Sequence, residues 1–269
     1  MKLNKDSKQK NYLVFDIGGT YTRVAFFKGK KLVKKEKNKT IKNKKILDFL
    51  ENKIEKFKIK YNIGTKFDGI SIAFPGNVDS EKLLLVSFPN LPKIKNLELG
   101  KLKKHCKKLV LENDANCATI GAYEFLKSFK NSKSRSVKNL VCLTLGTGVG
   151  CGLMINGKLY KGKGKASEFG HSTIDINGKP CSCGNKGCLE NYVSSRGLIF
   201  IAKKQGLKKI DCYKLQELAK NKNNKALKVY EEYGKLLSFG IVNIANTLDP
   251  DIIVLTGGLC NSSKYFISK

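Results

Sequence analysis

The residues best equipped for chemistry crowd into one short stretch. Glu168-Phe169-Gly170-His171 is followed by Cys181-Ser182-Cys183-Gly184-Asn185-Lys186-Gly187-Cys188-Leu189-Glu190, which gathers one imidazole and three thiols. His171, Cys181, Cys183 and Cys188 together form the four-ligand N/S set of a closed tetrahedral Zn²⁺ site. The chain has only two His, and one of them falls here. Gly184 and Gly187 allow the tight knuckle that returns Cys188 toward Cys181 and Cys183. A site filled by protein ligands has no open coordination position, so such an ion would be structural, not catalytic.

A second kind of chemistry is suggested by Asp16-Ile17-Gly18-Gly19-Thr20. It sets a carboxylate at the end of an apolar run, then two residues without Cβ, then a hydroxyl. Glycine amides can approach a phosphate closely, Thr20 can donate to a phosphate oxygen, and Asp16 can hold the water shell of Mg²⁺. An ordinary hairpin turn accounts for the same residues. The grammar returns, however, at Gly146-Thr147-Gly148-Val149-Gly150, so two glycine turns close two halves that look duplicated. A third candidate is Asp114, in Glu112-Asn113-Asp114-Ala115-Asn116. It lies near a predicted helix N-terminus, where the dipole favours the ionised form. It suits either a general base or an N-cap carboxylate, and the local sequence supports both equally.

These residues need elements to position them. Tyr12–Asp16, Arg23–Phe27 and Leu32-Val33 read as a three-stranded meander. Leu140–Leu145, Cys151–Ile155 and the Asn156-Gly157 hairpin turn repeat its beginning. Gly69–Phe74, closed by Pro75-Gly76, and Asp251–Thr256, closed by Gly257-Gly258, read as buried strands of a parallel sheet. A short strand is expected at Leu109–Leu111. Helical stretches are expected at Ile41–Lys60, Ala115–Ser128 and Ala226–Thr247. The boundary between lobes is expected near residue 115, giving an N-terminal α/β lobe over 1–115 and a C-terminal one over 116–269.

Composition narrows the function classes. The chain has 269 residues, 41% of them hydrophobic, with 25 Gly against 5 Pro, which excludes a disordered tail or a disulfide miniprotein. A net charge of +30 invites a search for nucleic acid, yet all but three of the 52 basic residues are Lys, spread almost everywhere. Solvated Lys faces are expected, and no specific nucleic-acid partner. No apolar run of signal-peptide or membrane-spanning length occurs, so a soluble cytoplasmic protein without a membrane partner is expected. Nine Cys, an odd number, suit a reducing compartment with a metal site. Those outside the knuckle read as ordinary buried thiols.

Taken in order, these motifs closely resemble the ROK family (repressors, open reading frames and kinases), specifically its sugar kinases. The resemblance runs from about Tyr12 to Leu259. It is carried by Asp16–Thr20, Phe74-Pro75-Gly76, Pro89-Asn90-Leu91, Glu112–Asn116, Gly146–Gly150, Glu168–His171 with the cysteine knuckle, and Thr256-Gly257-Gly258. It implies an α/β fold of two actin-like (ribonuclease H-like) lobes with a central cleft and a structural zinc knuckle. The activity implied is ATP-dependent phosphorylation of a hexose at its 6-hydroxyl, as in a glucokinase, with Asp114 as general base. By the same resemblance Asn113, Glu168, His171 and Glu190 would hold sugar hydroxyls beside Asp114, and Gly76 and Asn90 would border the sugar. Thr20, Thr147, Gly148, Gly257 and Gly258 would line the nucleotide, Gly18 and Gly19 would complete their turn, and Asp16 would approach the metal of MgATP. Mg²⁺ with ATP and a structural Zn²⁺ are the implied cofactors, hexose and ATP the partners, and a homodimer the implied assembly.

The alternative within the same family is a sugar-sensing transcriptional regulator lacking its DNA-binding module, since only Met1–Asn11 precede the first strand. The chain departs from the family pattern in two places. Ser167 stands where Gly is usual before the Glu, and Lys269 falls soon after Gly258, where relatives continue with further elements, so truncation at the C-terminus is an expectation. The glycine turns are expected to lie apart from the knuckle.

Overall fold

Alternation of apolar and polar residues from Asn11 draws the chain into three antiparallel strands, β1 (Asn11–Ile17), β2 (Tyr21–Lys28) and β3 (Lys31–Lys39). Leu13, Phe15, Ile17, Val24 and Phe26 all turn inward. The computed structural model describes residues 9–87, 94–129, 136–164 and 166–267. Two compact units emerge, Met1–Cys117 and Ala118–Lys269.

In unit 1, helix α1 (Ile46–Lys60) buries Ile46, Leu47, Leu50, Ile54 and Phe57 on one stripe against the sheet. It starts later than the apolar spacing predicts. Thr40 is tied to the first glycine turn, and the Asn43 side chain accepts from the Lys45 amide at 3.0 Å, holding 41–45 outside the helix. The parallel strands β4 (Gly69–Phe74) and β8 (Leu109–Asn113) complete a five-stranded sheet of order β3-β2-β1-β4-β8. Between them in sequence, β5 (Asn77–Asp79), β6 (Leu84–Ser87) and β7 (Lys95–Glu98) form a small separate sheet. Helix α2 (Asp114–Ser128) follows β8 without a loop; only its first residues, to Cys117, belong to unit 1, and the rest belongs to unit 2.

In unit 2, β9 (Leu140–Leu145), β10 (Val149–Ile155), β11 (Lys158–Leu159) and β12 (Ile252–Thr256) form a sheet of order β11-β10-β9-β12. As in unit 1, an antiparallel meander is joined by a parallel strand, β12 on β9. The short helix α3 (Glu190–Val193), α4 (Ser195–Lys204), α5 (Cys212–Lys220) and the long α6 (Asn224–Leu248) supply the apolar faces that cover this sheet. Helix α6 ends where Asp249 takes a left-handed conformation just before Pro250. β12, expected to be buried, is only half-buried along its whole length, because β9 is its sole strand neighbour among the described residues. No helix among the described residues is long and apolar enough to cross a membrane. Of the cysteines outside the knuckle, Cys106, Cys142 and Cys151 are buried, whereas Cys117, Cys212 and Cys260 are partly exposed.

Candidate functional site

In unit 1 the parallel strands β1, β4 and β8 deliver their C-terminal ends to one edge of the sheet. Asp16 pairs in register with Ala73, and Phe74 with Asn113. The edge therefore carries Asp16, the Gly18-Gly19-Thr20 turn, Gly76, Asn113 and Asp114, the kind of edge where open α/β sheets bind ligands. The turn is held by Thr40, whose Oγ1 donates to the Gly18 carbonyl at 2.7 Å and whose amide donates to the Thr20 carbonyl at 3.0 Å. Thr40 is buried and also bonds Thr22 Oγ1 at 3.1 Å. The Asp16 carboxylate is ion-paired with Arg23, its cross-strand partner, at 2.9 Å.

Asn113, not Asp114, supplies the main cap of α2. Its Oδ1 accepts from the amides of Ala115 at 2.9 Å and Asn116 at 3.1 Å, while its Nδ2 donates to the Gly76 carbonyl at 3.1 Å. One side chain thus joins the end of β8 to the turn after β4. Asp114 Oδ1 accepts from the Ala115 amide at 2.9 Å. Beneath them lies Glu112, buried, which accepts from the Asn113 amide, Asn116 Nδ2 and Ser80 Oγ. Glu112 is a part of this edge to which the sequence assigned no role. Its carboxylate fixes the backbone from which Asn113 and Asp114 project. Asn90 lies outside the described residues.

In unit 2 the corresponding edge carries both glycine segments. Thr144 and Thr256 pair in register, so the β9–β10 turn and Gly257-Gly258 leave adjacent parallel strands at the same end. Gly257 has φ +100°, and a Cβ there would collide with the Leu145 carbonyl. Thr147 is exposed at the tip of its turn. Glu190 reaches this turn too: its Oε2 accepts from the Val149 amide at 2.8 Å. The expected separation between knuckle and glycine turn is therefore incorrect. The chain leaving Cys188 enters α3 directly, and α3 abuts the turn.

The knuckle gathers all four expected ligands, with the donor atoms of His171, Cys181, Cys183 and Cys188 within 4.8 Å of one another. Cys183 Sγ lies 3.6 Å from Cys188 Sγ, and His171 Nδ1 lies 3.6 Å from Cys181 Sγ. Thiolates about 2.3 Å from one tetrahedral Zn²⁺ stand roughly 3.8 Å apart, so the donor set and its spacing fit that ion. Burial, first, and the neighbouring thiols push the Cys188 thiol up to about 12, whereas the Asn185 amide, first, holds that of Cys183 below its ordinary value. Gly184 at φ +94° and Gly187 at φ +63° make the turn that their residue type suggested.

Ser167 adopts φ +63°, the left-handed region that Gly occupies without strain. Its Oγ donates to the Cys151 carbonyl at 3.1 Å and lies 2.6 Å from the Ala166 carbonyl, contacts that offset part of the cost. Glu168, next in sequence, is exposed at the start of the 3-10 turn Phe169–His171.

An α/β fold with two mixed sheets, glycine turns at their C-terminal edges and a Cys₃His knuckle defines the class of ROK sugar-kinase folds. The chain belongs to the ROK family, whose model matches residues 12–269. It is 31% identical to the N-acetyl-D-glucosamine kinase of Aliivibrio salmonicida, over 95% of this chain and 86% of that protein. It is also 31% identical to the xylose repressor of Bacillus subtilis, over 74% of this chain but only 50% of the repressor, so it spans about half the length of such relatives. Among solved structures, a glucokinase from Streptomyces griseus in complex with glucose and AMPPNP superposes with a TM-score of 0.78 at 26% identity, over 94% of this chain and 84% of that one.

Proposed function

We propose that the chain is an ATP-dependent hexose kinase of glucokinase type, transferring the γ-phosphoryl group to the 6-hydroxyl of the sugar. The observation that carries this is the gathering of Asp16–Thr20, Gly76, Asn113 and Asp114 at one C-terminal sheet edge. Asp114 is the general base: it accepts the proton of the primary hydroxyl as that oxygen attacks the γ-phosphorus and the bond to the β-bridging oxygen breaks. ADP leaves with the electron pair, and no covalent enzyme intermediate forms. Asn113 caps α2 and orients the base, while Asn113, Glu168, His171 and Glu190 hold sugar hydroxyls, with Gly76 and Asn90 at the border of the sugar.

Gly18, Gly19, Thr20, Thr147, Gly148, Gly257 and Gly258 receive the nucleotide, offering backbone amides and hydroxyls to phosphate oxygens where charge develops. Asp16, paired here with Arg23, would stand toward the water shell of the Mg²⁺ that accompanies ATP. His171, Cys181, Cys183 and Cys188 would hold Zn²⁺, which would supply a fixed local geometry and no reacting group. With His171 Nδ1 facing the thiols, its Nε2 is left for a sugar hydroxyl. Lobes with a boundary near residue 115, a ribonuclease H-like descent for each, homodimerisation and a cytoplasmic setting belong to the same proposal.

A second reading, a sugar-responsive regulatory domain, is favoured by the similarity to xylose repressors. A coupled assay with MgATP and a panel of hexoses and N-acetylhexosamines separates the two. A kinase turns over at least one sugar at ordinary kinase rates of about 1–100 s⁻¹. Sugar binding without turnover, for every sugar in the panel, leaves the regulatory reading standing instead.

A further inference from the structure

We infer that Glu190 is the positioning residue of the Gly146–Gly150 turn, a carboxylate latch that couples the Cys/His knuckle to the loop receiving the nucleotide. This rests on the kinase function proposed above. Glu190 stands two residues after Cys188 and opens α3. The Leu189 amide donates to the Ser172 carbonyl at 2.9 Å, which ties this segment to the residue following His171. From there Oε2 of Glu190 accepts the Val149 amide at 2.8 Å. The carboxylate also fits so closely over Gly148 that a Cβ on that residue would overlap Oε2. The side chain is only 15% exposed, and Arg196 Nη2 stands 3.9 Å from its other oxygen.

The grip is not a single bond. The Ser195 amide, at the start of α4, donates to the Gly146 carbonyl at 2.8 Å, so the segment after the knuckle holds the turn at both ends. On the other side Gly170, beside His171, packs against the Val149 carbonyl closely enough that a Cβ would collide with it. A backbone amide bound to a largely desolvated carboxylate is a strong, charge-assisted contact. It orders a glycine-rich segment that would otherwise sample many conformations. The knuckle therefore acts on two ligands: on the sugar through His171 and Glu190, and on the nucleotide through the grip of Glu190 Oε2 on the turn.

The test uses the full chain with its metal, titrated with MgAMPPNP in the absence of sugar, alongside hydrogen exchange at the Val149 amide. Glu190→Ala is expected to weaken MgAMPPNP binding about tenfold, the loss of one hydrogen bond to a charged group, and to speed Val149 exchange. Glu190→Gln keeps a carbonyl acceptor for that amide but loses the charge, and is expected to weaken binding less than Glu190→Ala does. Gly148→Ala pushes the carboxylate aside and is expected to weaken binding, but to add little in the Glu190→Ala background. Removing metal with a chelator should speed Val149 exchange in the wild type and leave it nearly unchanged in Glu190→Ala. If Glu190→Ala binds MgAMPPNP as the wild type does and Val149 stays protected, the latch is refuted. Wild-type protein that binds no MgAMPPNP refutes the kinase function instead, and Val149 exchange alone then decides whether the latch exists.

Discussion

The two units solve the same topological problem with different fastenings. Each begins with an antiparallel meander and adds a parallel strand beside its first strand, β4 on β1 in unit 1 and β12 on β9 in unit 2. Each then sets a glycine turn at the C-terminal edge of that first strand. In unit 1 the turn is held by a buried hydroxyl and amide, both from Thr40. In unit 2 it is held by the Glu190 carboxylate, which follows directly on the Cys/His knuckle. The parallel strands differ as well. β4 lies between two strands and buries Ile70, Ile72, Ala73 and Phe74, whereas β12 has one strand neighbour among the described residues and is half-buried throughout. A shared strand order places the loops alike, but which residue stiffens each loop depends on what packs beside it.

The largest effect should come from breaking the unit 2 fastening at its root. Cys188→Ser, which removes a buried ligand, is expected to lower the thermal midpoint by about 10 °C or more, since each kcal/mol lost shifts a domain of this size by roughly 2–4 °C. Hydrogen exchange should rise across α3 and the β9–β10 turn while the Gly18–Thr20 turn keeps its protection. Equal loosening of both turns would show that the two fastenings are not independent. Elemental analysis of the wild type should give about one zinc per chain, the content of a single four-ligand site.

The complementary change is Thr40→Val, nearly isosteric but without the hydroxyl. It leaves the Gly18 carbonyl unmet and is expected to cost about 1–3 kcal/mol, with loosened exchange confined to the first turn. A midpoint within experimental error of wild type would remove Thr40 from its assigned role.

The smallest effect concerns pH and unit 1 alone. His105 is buried among Glu51, Glu55, Lys58 and Lys104. Burial, first, and the Lys58 charge hold it below the ordinary histidine value, against the opposing pull of the two carboxylates. A folded value below the unfolded one means that the neutral imidazole is favoured in the native state. Its contribution is complete above the unfolded value of about 6.5 and is lost as pH falls below it. His105→Gln should therefore flatten the fall in stability between neutral and mildly acid pH, read from urea midpoints. A slope identical to wild type would contradict the assignment.

Local chemistry was legible in the sequence wherever residue type alone restricts the choice. The gathering of His171 with three Cys showed because one of only two His stands near them in sequence, and the glycine turns showed because their residues lack Cβ. The meanders and the parallel strands showed as short apolar runs closed by glycine, but not the order in which they pair. What stayed hidden depends on partners distant in sequence. The Glu190–Val149 contact spans 41 positions and the Thr40–Gly18 contact 22. Neither partner has a residue type that marks it. Local alternatives also resisted. Asp114 and Asn113 are both good capping residues, and only the hydrogen bonds show that Asn113 takes the main share. Ser167 read as a small departure, yet its left-handed backbone explains why Gly would suit the position.

The measurement closest to the central claim is pre-steady-state phosphoryl transfer by Asp114→Asn, with sugar affinity measured separately by calorimetry. Asn is nearly isosteric and keeps an oxygen for the Ala115 amide, so the fold and the sugar affinity should change little. If Asp114 is the general base, kcat falls at least about 10²-fold, the lower end for loss of a positioned proton acceptor. Retention of more than half the wild-type kcat with unaltered sugar affinity would contradict the assignment of Asp114 and the phosphoryl-transfer mechanism built on it.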